Sequence, residues 1–177
     1  MSIIEEIREK AKNLLGAEFA HAIKFANSYE RMPVLFHHMP WIDNSEQFRA
    51  WLAVLGCEWS SCDNVGSYAE FLCEPLDFAL SIGLNGLMMT DDERHALAQL
   101  PDEITVYRGC YEFNADGLSW TTCRNIAEGF TRLARYNEPD RAPILLSRTV
   151  KRADVIAYKL DRNELEVILL PESYCIT

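Results

Sequence analysis

No stretch of the 177 residues approaches the ~18 uninterrupted apolar residues of a membrane-spanning helix, so no helical span is expected. There is no G-x-G-x-x-G and no G-x-x-x-x-G-K-[ST], so neither a doubly wound dinucleotide site nor a P-loop is supported. Cys57, Cys62, Cys73, Cys110, Cys123 and Cys175 include no C-x-x-C pair, and Cys57-x4-Cys62 lacks a second ligand pair at zinc-finger spacing. They read as reduced thiols, and no metal is expected. Basic charge is scarce: 17 Lys+Arg stand against 27 Asp+Glu, a net of −10. Most of the deficit lies in residues 1–100, with 7 basic against 15 acidic side chains; residues 101–177 hold 10 against 12. Without a basic patch to meet phosphates, a nucleic-acid partner is not expected. Acidity favours a basic partner without specifying one. The charged start Met1–Lys10 reads as no secretory leader, and a cytoplasmic location is expected, in the cell of origin or in a host or target cell.

What is present is ample core material, 49% hydrophobic residues, in two textures. Residues 1–101 read as helical. Ser2 and Glu5 make a capping-box pattern, and a helix is expected over about 45–56 from Asn44 or Ser45. Pro33 and Pro40 punctuate a connector holding His37 and His38. An apolar segment from Tyr68 to Leu87 is broken by Pro75, Gly83 and Gly86, and Thr90 with Glu93 opens a short helix to Leu100. Residues 102–177 read as strands at Ile104–Arg108, Leu118–Thr121, Ile144–Val150, Asp154–Tyr158 and Glu164–Leu170, with a short edge strand at Tyr174-Cys175-Ile176. One helix interrupts them at about 123–136, with Ile126, Ala127, Phe130, Leu133 and Ala134 on one stripe. The class is therefore α+β, with the two parts packed as one compact unit.

Few residues in this pattern carry chemistry. Glu164 and Glu166 are two apart in an apolar strand, so both carboxylates should share one face, where each raises the other's pKa. The pair either solvates a strand end or forms a paired-carboxylate site. Arg108 shares a strand face with Ile104 and Val106; a guanidinium there needs an anion, which a structural salt bridge or a bound phosphate would supply. Gly109 leaves room for close approach to the backbone. Ser119 and Thr121 share one face with Trp120 opposite, and hydroxyls at that spacing suit a ribose or carboxylate as well as ordinary β-propensity. The scattered histidines have no obvious nucleophile or carboxylate partner.

Taken in order, Tyr107-Arg108-Gly109, Gly117-Leu118-Ser119-Trp120-Thr121-Thr122, Ala127 with Phe130, and Glu164-x-Glu166-Val167-Ile168-Leu169 resemble the ADP-ribosyltransferases of the Arg–Ser–Glu class. The resemblance covers roughly residues 102–172 and is closest to small bacterial and phage members. It implies a split β-sandwich, a helical half that completes an NAD cleft, and NAD as a substrate. The implied reaction is transfer of ADP-ribose to a protein side chain, arginine or another, with release of nicotinamide.

Arg108 would bind an NAD phosphate, and Ser119 would support the NAD site and the catalytic glutamate. Glu166 would hold the nicotinamide-side ribose and stabilise the charge formed as its bond breaks; Glu164 would engage the incoming nucleophile. Tyr107, Gly109, Trp120, Thr121 and Phe130 complete the implied NAD site, and residues 159–163 form the loop presenting the target. The family's Phe-x-x-Arg element is not matched, because Phe130-Thr131-Arg132 has a different spacing. The partner implied is a target protein, a host protein among the candidates. Two other readings stay open: an NAD glycohydrolase, and a degenerate member that binds a partner without catalysis.

Overall fold

The computed structural model describes residues 3–133 and 136–174, and the chain divides into two compact units, Met1–Thr90 and Asp91–Thr177. The boundary falls upstream of Pro101, so the helix before that proline belongs with the strands. Ser2, Ala134, Cys175 and Ile176, and with them the N-terminal cap, the end of the helical stripe and the proposed edge strand, lie outside the described residues.

The first unit is helical. α1 (Ile3–Leu15) and α2 (Ala17–Phe25) are separated by Gly16 at φ 96°, a backbone angle that glycine adopts without strain. α3 (Arg31–His37) occupies the stretch expected as a connector. Pro33 is tolerated because it sits in the first turn, where its missing N–H has no helical acceptor. α4 (Glu46–Glu58) begins where expected, with the Ser45 hydroxyl accepting the Phe48 N–H at 3.2 Å. α5 (Ala69–Ser81) runs through Pro75, which did not break it, and ends before Gly83 at φ 73°. Buried Phe19, Phe48, Trp51 and Leu72 build the core of this unit. Trp51 Nε1 donates to the Leu35 carbonyl at 2.8 Å, so the largest buried ring keeps its polar atom satisfied.

The second unit opens with α6 (Asp91–Gln99) and continues through β1 (Glu103–Cys110), β2 (Ser119–Thr121), α7 (Arg124–Phe130), β3 (Ile144–Lys151), β4 (Ala157–Lys159) and β5 (Glu166–Ile168). These strands form one antiparallel sheet in the order β3-β1-β2-β5-β4. The α+β class expected from the sequence is observed. β1 and β3 pair along their full length, from Glu103↔Lys151 to Cys110↔Ile144. β1 and β2 pair at Tyr107↔Thr121, whereas β2, β5 and β4 pair throughout. The sheet thus consists of a long ladder and a short one joined at a narrow seam.

Several elements are shorter than their sequence patterns; the strand expected at Asp154–Tyr158 runs only over Ala157–Lys159, because Asp154 closes a tight turn. The interrupting helix ends at Phe130, and Leu133 is exposed rather than on a buried stripe. The last strand starts at Glu166, because Leu165 lies at φ 48° and breaks the extended chain. Among the described residues, no helix is long and apolar enough to cross a membrane.

Candidate active site

Antiparallel register decides which side chains meet, because directly opposed residues share a face. Tyr107 opposes Thr121, Thr121 opposes Glu166, and Glu166 opposes Lys159. These residues therefore form one row across β1, β2, β5 and β4. Ser119 opposes Ile168 and is the diagonal neighbour of Glu166 on the same face. Trp120 is on the other face, as the alternation requires. There its ring is buried, Nε1 donates to the Gly117 carbonyl at 2.9 Å, and the Arg148 guanidinium lies 4.4 Å above it.

Glu164 does not share the face of Glu166. It precedes β5, and the left-handed residue Leu165 between the two cancels the two-residue repeat on which the shared face depended. The paired-carboxylate strand end expected from the sequence is thus corrected to one strand carboxylate, Glu166, and one turn carboxylate, Glu164. Thr121 fixes that turn: its hydroxyl donates to the Glu164 carbonyl at 2.7 Å and accepts the Cys123 N–H at 3.1 Å. The Thr122 N–H adds a bond to the Leu165 carbonyl at 3.2 Å. Arg162 and Asn163 also lie at positive φ, 56° each, so the segment before β5 holds several non-glycine residues in a sparsely populated region.

Arg108 is held by backbone. Nη1 donates to the Ser119 carbonyl at 2.5 Å, while Nη2 and Nε donate to the Asn114 carbonyl at 2.9 and 3.3 Å. Gly117 makes this possible, since a Cβ there would overlap the guanidinium. Arg108 makes no ion pair among the described residues, so the salt bridge considered from the sequence is not what holds it. Burial pulls its pKa below the ordinary arginine value, and the Cys110 side chain together with the charges of Glu166 and Asp116 partly offsets that. Burial likewise raises the Cys110 thiol, with Arg108 opposing the shift.

Gly109 permits a close approach by protein rather than leaving a gap: a Cβ there would overlap the Ala127 carbonyl, so the glycine lets α7 lie directly on β1. Phe130 ends α7, its ring 6.3 Å from that of Tyr136. Tyr111 ties down the chain beyond, its hydroxyl donating to the Thr131 carbonyl at 3.3 Å and accepting the Glu138 N–H at 2.9 Å. A cavity of about 540 Å³ opens between α7, this segment and the start of β3. Of the residues expected to hold NAD, Gly109 alone lines it, so the cavity is not centred on the Glu166 row.

Sequence reasoning missed one buried contact. Lys159 Nζ lies 2.8 Å from Glu93 Oε2, with side-chain exposures of 3% and 5%. The other oxygen, Oε1, accepts the Leu160 N–H at 3.2 Å. The sequence pattern marks Glu93 only as a capping residue; the signal for more is a lysine ending the otherwise apolar run Val155-Ile156-Ala157-Tyr158.

Compared with protein-family models, curated proteins and solved structures, the chain matches none.

Proposed function

We infer that the chain is a mono-ADP-ribosyltransferase of the Arg–Ser–Glu class, taking NAD as donor and a protein side chain, arginine, as acceptor. One observation carries this reading. Three short motifs far apart in sequence lie on neighbouring strands, with Tyr107, Thr121 and Glu166 in one row and Ser119 diagonal to Glu166. The narrow seam between β1 and β2 is where a split β-sandwich would part its two sheets.

The residues fit NAD on chemical grounds. A guanidinium has five N–H donors, and the three bonds to carbonyls leave N–H groups of a half-buried cation for a phosphate. Bound NAD supplies the ADP-ribosyl group and nicotinamide as leaving group. Glu166 stabilises the positive charge that develops on the ribose as the bond to nicotinamide breaks, as a carboxylate does in glycoside hydrolysis. Ser119, on the same face, orients that carboxylate or the ribose. Glu164, on the turn, receives the acceptor and takes its proton.

A second reading, NAD hydrolysis without a protein acceptor, is favoured by the separation of Glu164 from the face of Glu166. Incubation with labelled NAD and cell lysate distinguishes the two: labelled protein marks transfer, and free ADP-ribose alone marks hydrolysis. Glu166→Ala is expected to abolish both activities. Glu164→Ala is expected to lose transfer and keep NAD hydrolysis. Full activity in Glu166→Ala would remove the assignment of the site.

A further inference from the structure

The segment from Leu160 to Leu165 is held at both ends and strained between them. At its far end Thr121 and Thr122 bind the carbonyls of Glu164 and Leu165. Its near end is gripped by α6: one Glu93 oxygen takes the Leu160 N–H, and the other takes the ammonium of Lys159, the last residue of β4. Between the grips, Arg162 and Asn163 are exposed and sit at φ 56°. Strained backbone of this kind persists only where its surroundings over-determine it. β5, by contrast, is paired on both sides, to β2 and β4, and needs neither grip to hold Glu166.

We propose that Glu93 is a positioning residue for the acceptor step: through Leu160 and Lys159 it holds the 160–165 turn in the form that presents Glu164 beside the Glu166 row. This rests on the transferase reading above, and it separates the two halves of the reaction. Loosening the near end moves Glu164 and leaves Glu166 in place. Transfer then suffers while breakage of the nicotinamide bond continues.

The test compares wild type with Glu93→Gln and with the double variant Glu93→Gln, Lys159→Met. The double variant leaves no unpaired ammonium in the protein interior, which guards against simple misfolding. Amide hydrogen exchange across 161–165 is expected to quicken about tenfold or more, with the β5 amides unchanged. With NAD and free arginine as acceptor, arginine modification by Glu93→Gln is expected to fall about tenfold, with NAD hydrolysis within about twofold of wild type, the split expected of an interaction made only in the acceptor step; the double variant is read by exchange alone, because Lys159 opposes Glu166. Unchanged exchange in the turn overturns the proposal. So does an equal fall in both activities, which would mark Glu93 as a purely structural residue. If wild type consumes no NAD, the functional reading fails, and exchange in the turn alone decides whether Glu93 holds it.

Discussion

A single absent side chain governs how α7 meets the sheet. Gly109 faces the carbonyl of Ala127, and both atoms belong to rigid backbone. A methyl group here has no flexible neighbour to push aside, unlike one at Gly117, which would meet the side chain of Arg108. Gly109→Ala is therefore expected to destabilise the second unit by about 3 kcal/mol, the upper part of the range for overpacking. Its denaturation midpoint should fall with an unchanged denaturant slope. A wild-type midpoint would show that α7 does not rest on β1 as described. Thr121 illustrates the opposite device, a hydroxyl used twice. It was legible as half of a Ser-x-Thr pattern, but its bond to the Glu164 carbonyl was not, because 43 residues separate the partners.

Among the elements, the strands and most helices were legible from hydrophobic period, but α3 was not, and several ends were not. The run Glu164–Leu170 has the composition of a strand, yet ladder pairing begins only at Glu166, because Leu165 takes a left-handed angle. No residue type announces that angle when the residue is leucine, whereas Gly83 marked its own as a break in the apolar segment. The helix expected to reach residue 136 stops at Phe130, where the chain turns toward the bonds that Tyr111 makes to Thr131 and Glu138. Such long-range anchors have no period to read. Another anchor gives a measurable pH signature. Asp116, in the segment between β1 and β2, accepts the N–H groups of Glu172 and Ser173 at 2.8 and 3.0 Å. Burial by itself would raise its pKa, but those bonds and the charge of Arg148 hold it below the ordinary 3.8. A carboxylate depressed in the folded state stabilises above its unfolded pKa, and that stabilisation is lost as pH falls through the lower folded value. Asp116→Asn should therefore be less stable than wild type at neutral pH, and the gap should close as pH drops below 3.8. The effect is small because the site is exposed and screened. A gap independent of pH would show that the carboxylate charge has no part in it.

Over the whole molecule, the electrostatic balance and the placement of Arg108 pull in opposite directions. The chain carries a net −10, which repels the diphosphate of a dinucleotide that is itself a net anion. On the proposed reading, binding NAD then depends on a local cation, and the half-buried Arg108, bonded to the Ser119 carbonyl with no carboxylate in an ion pair to it among the described residues, is the candidate. A lysine there would keep the charge but lose the planar fork that bonds Asn114 and Ser119 while still facing a ligand. The comparison is best made in the Glu166→Ala background, where NAD is not consumed. At a concentration 100 times Kd, a ligand that binds only the folded state stabilises it by about 2.7 kcal/mol, enough to raise the melting temperature on the order of 10 °C for a unit this small. NAD should produce such a rise in Glu166→Ala and lose at least half of it when Arg108→Lys is added. Equal shifts in the two proteins would remove Arg108 from the NAD site and leave its role as the staple of the β1–β2 connection. No shift in either would remove NAD itself, and with it the proposed ligand for the free N–H groups of Arg108.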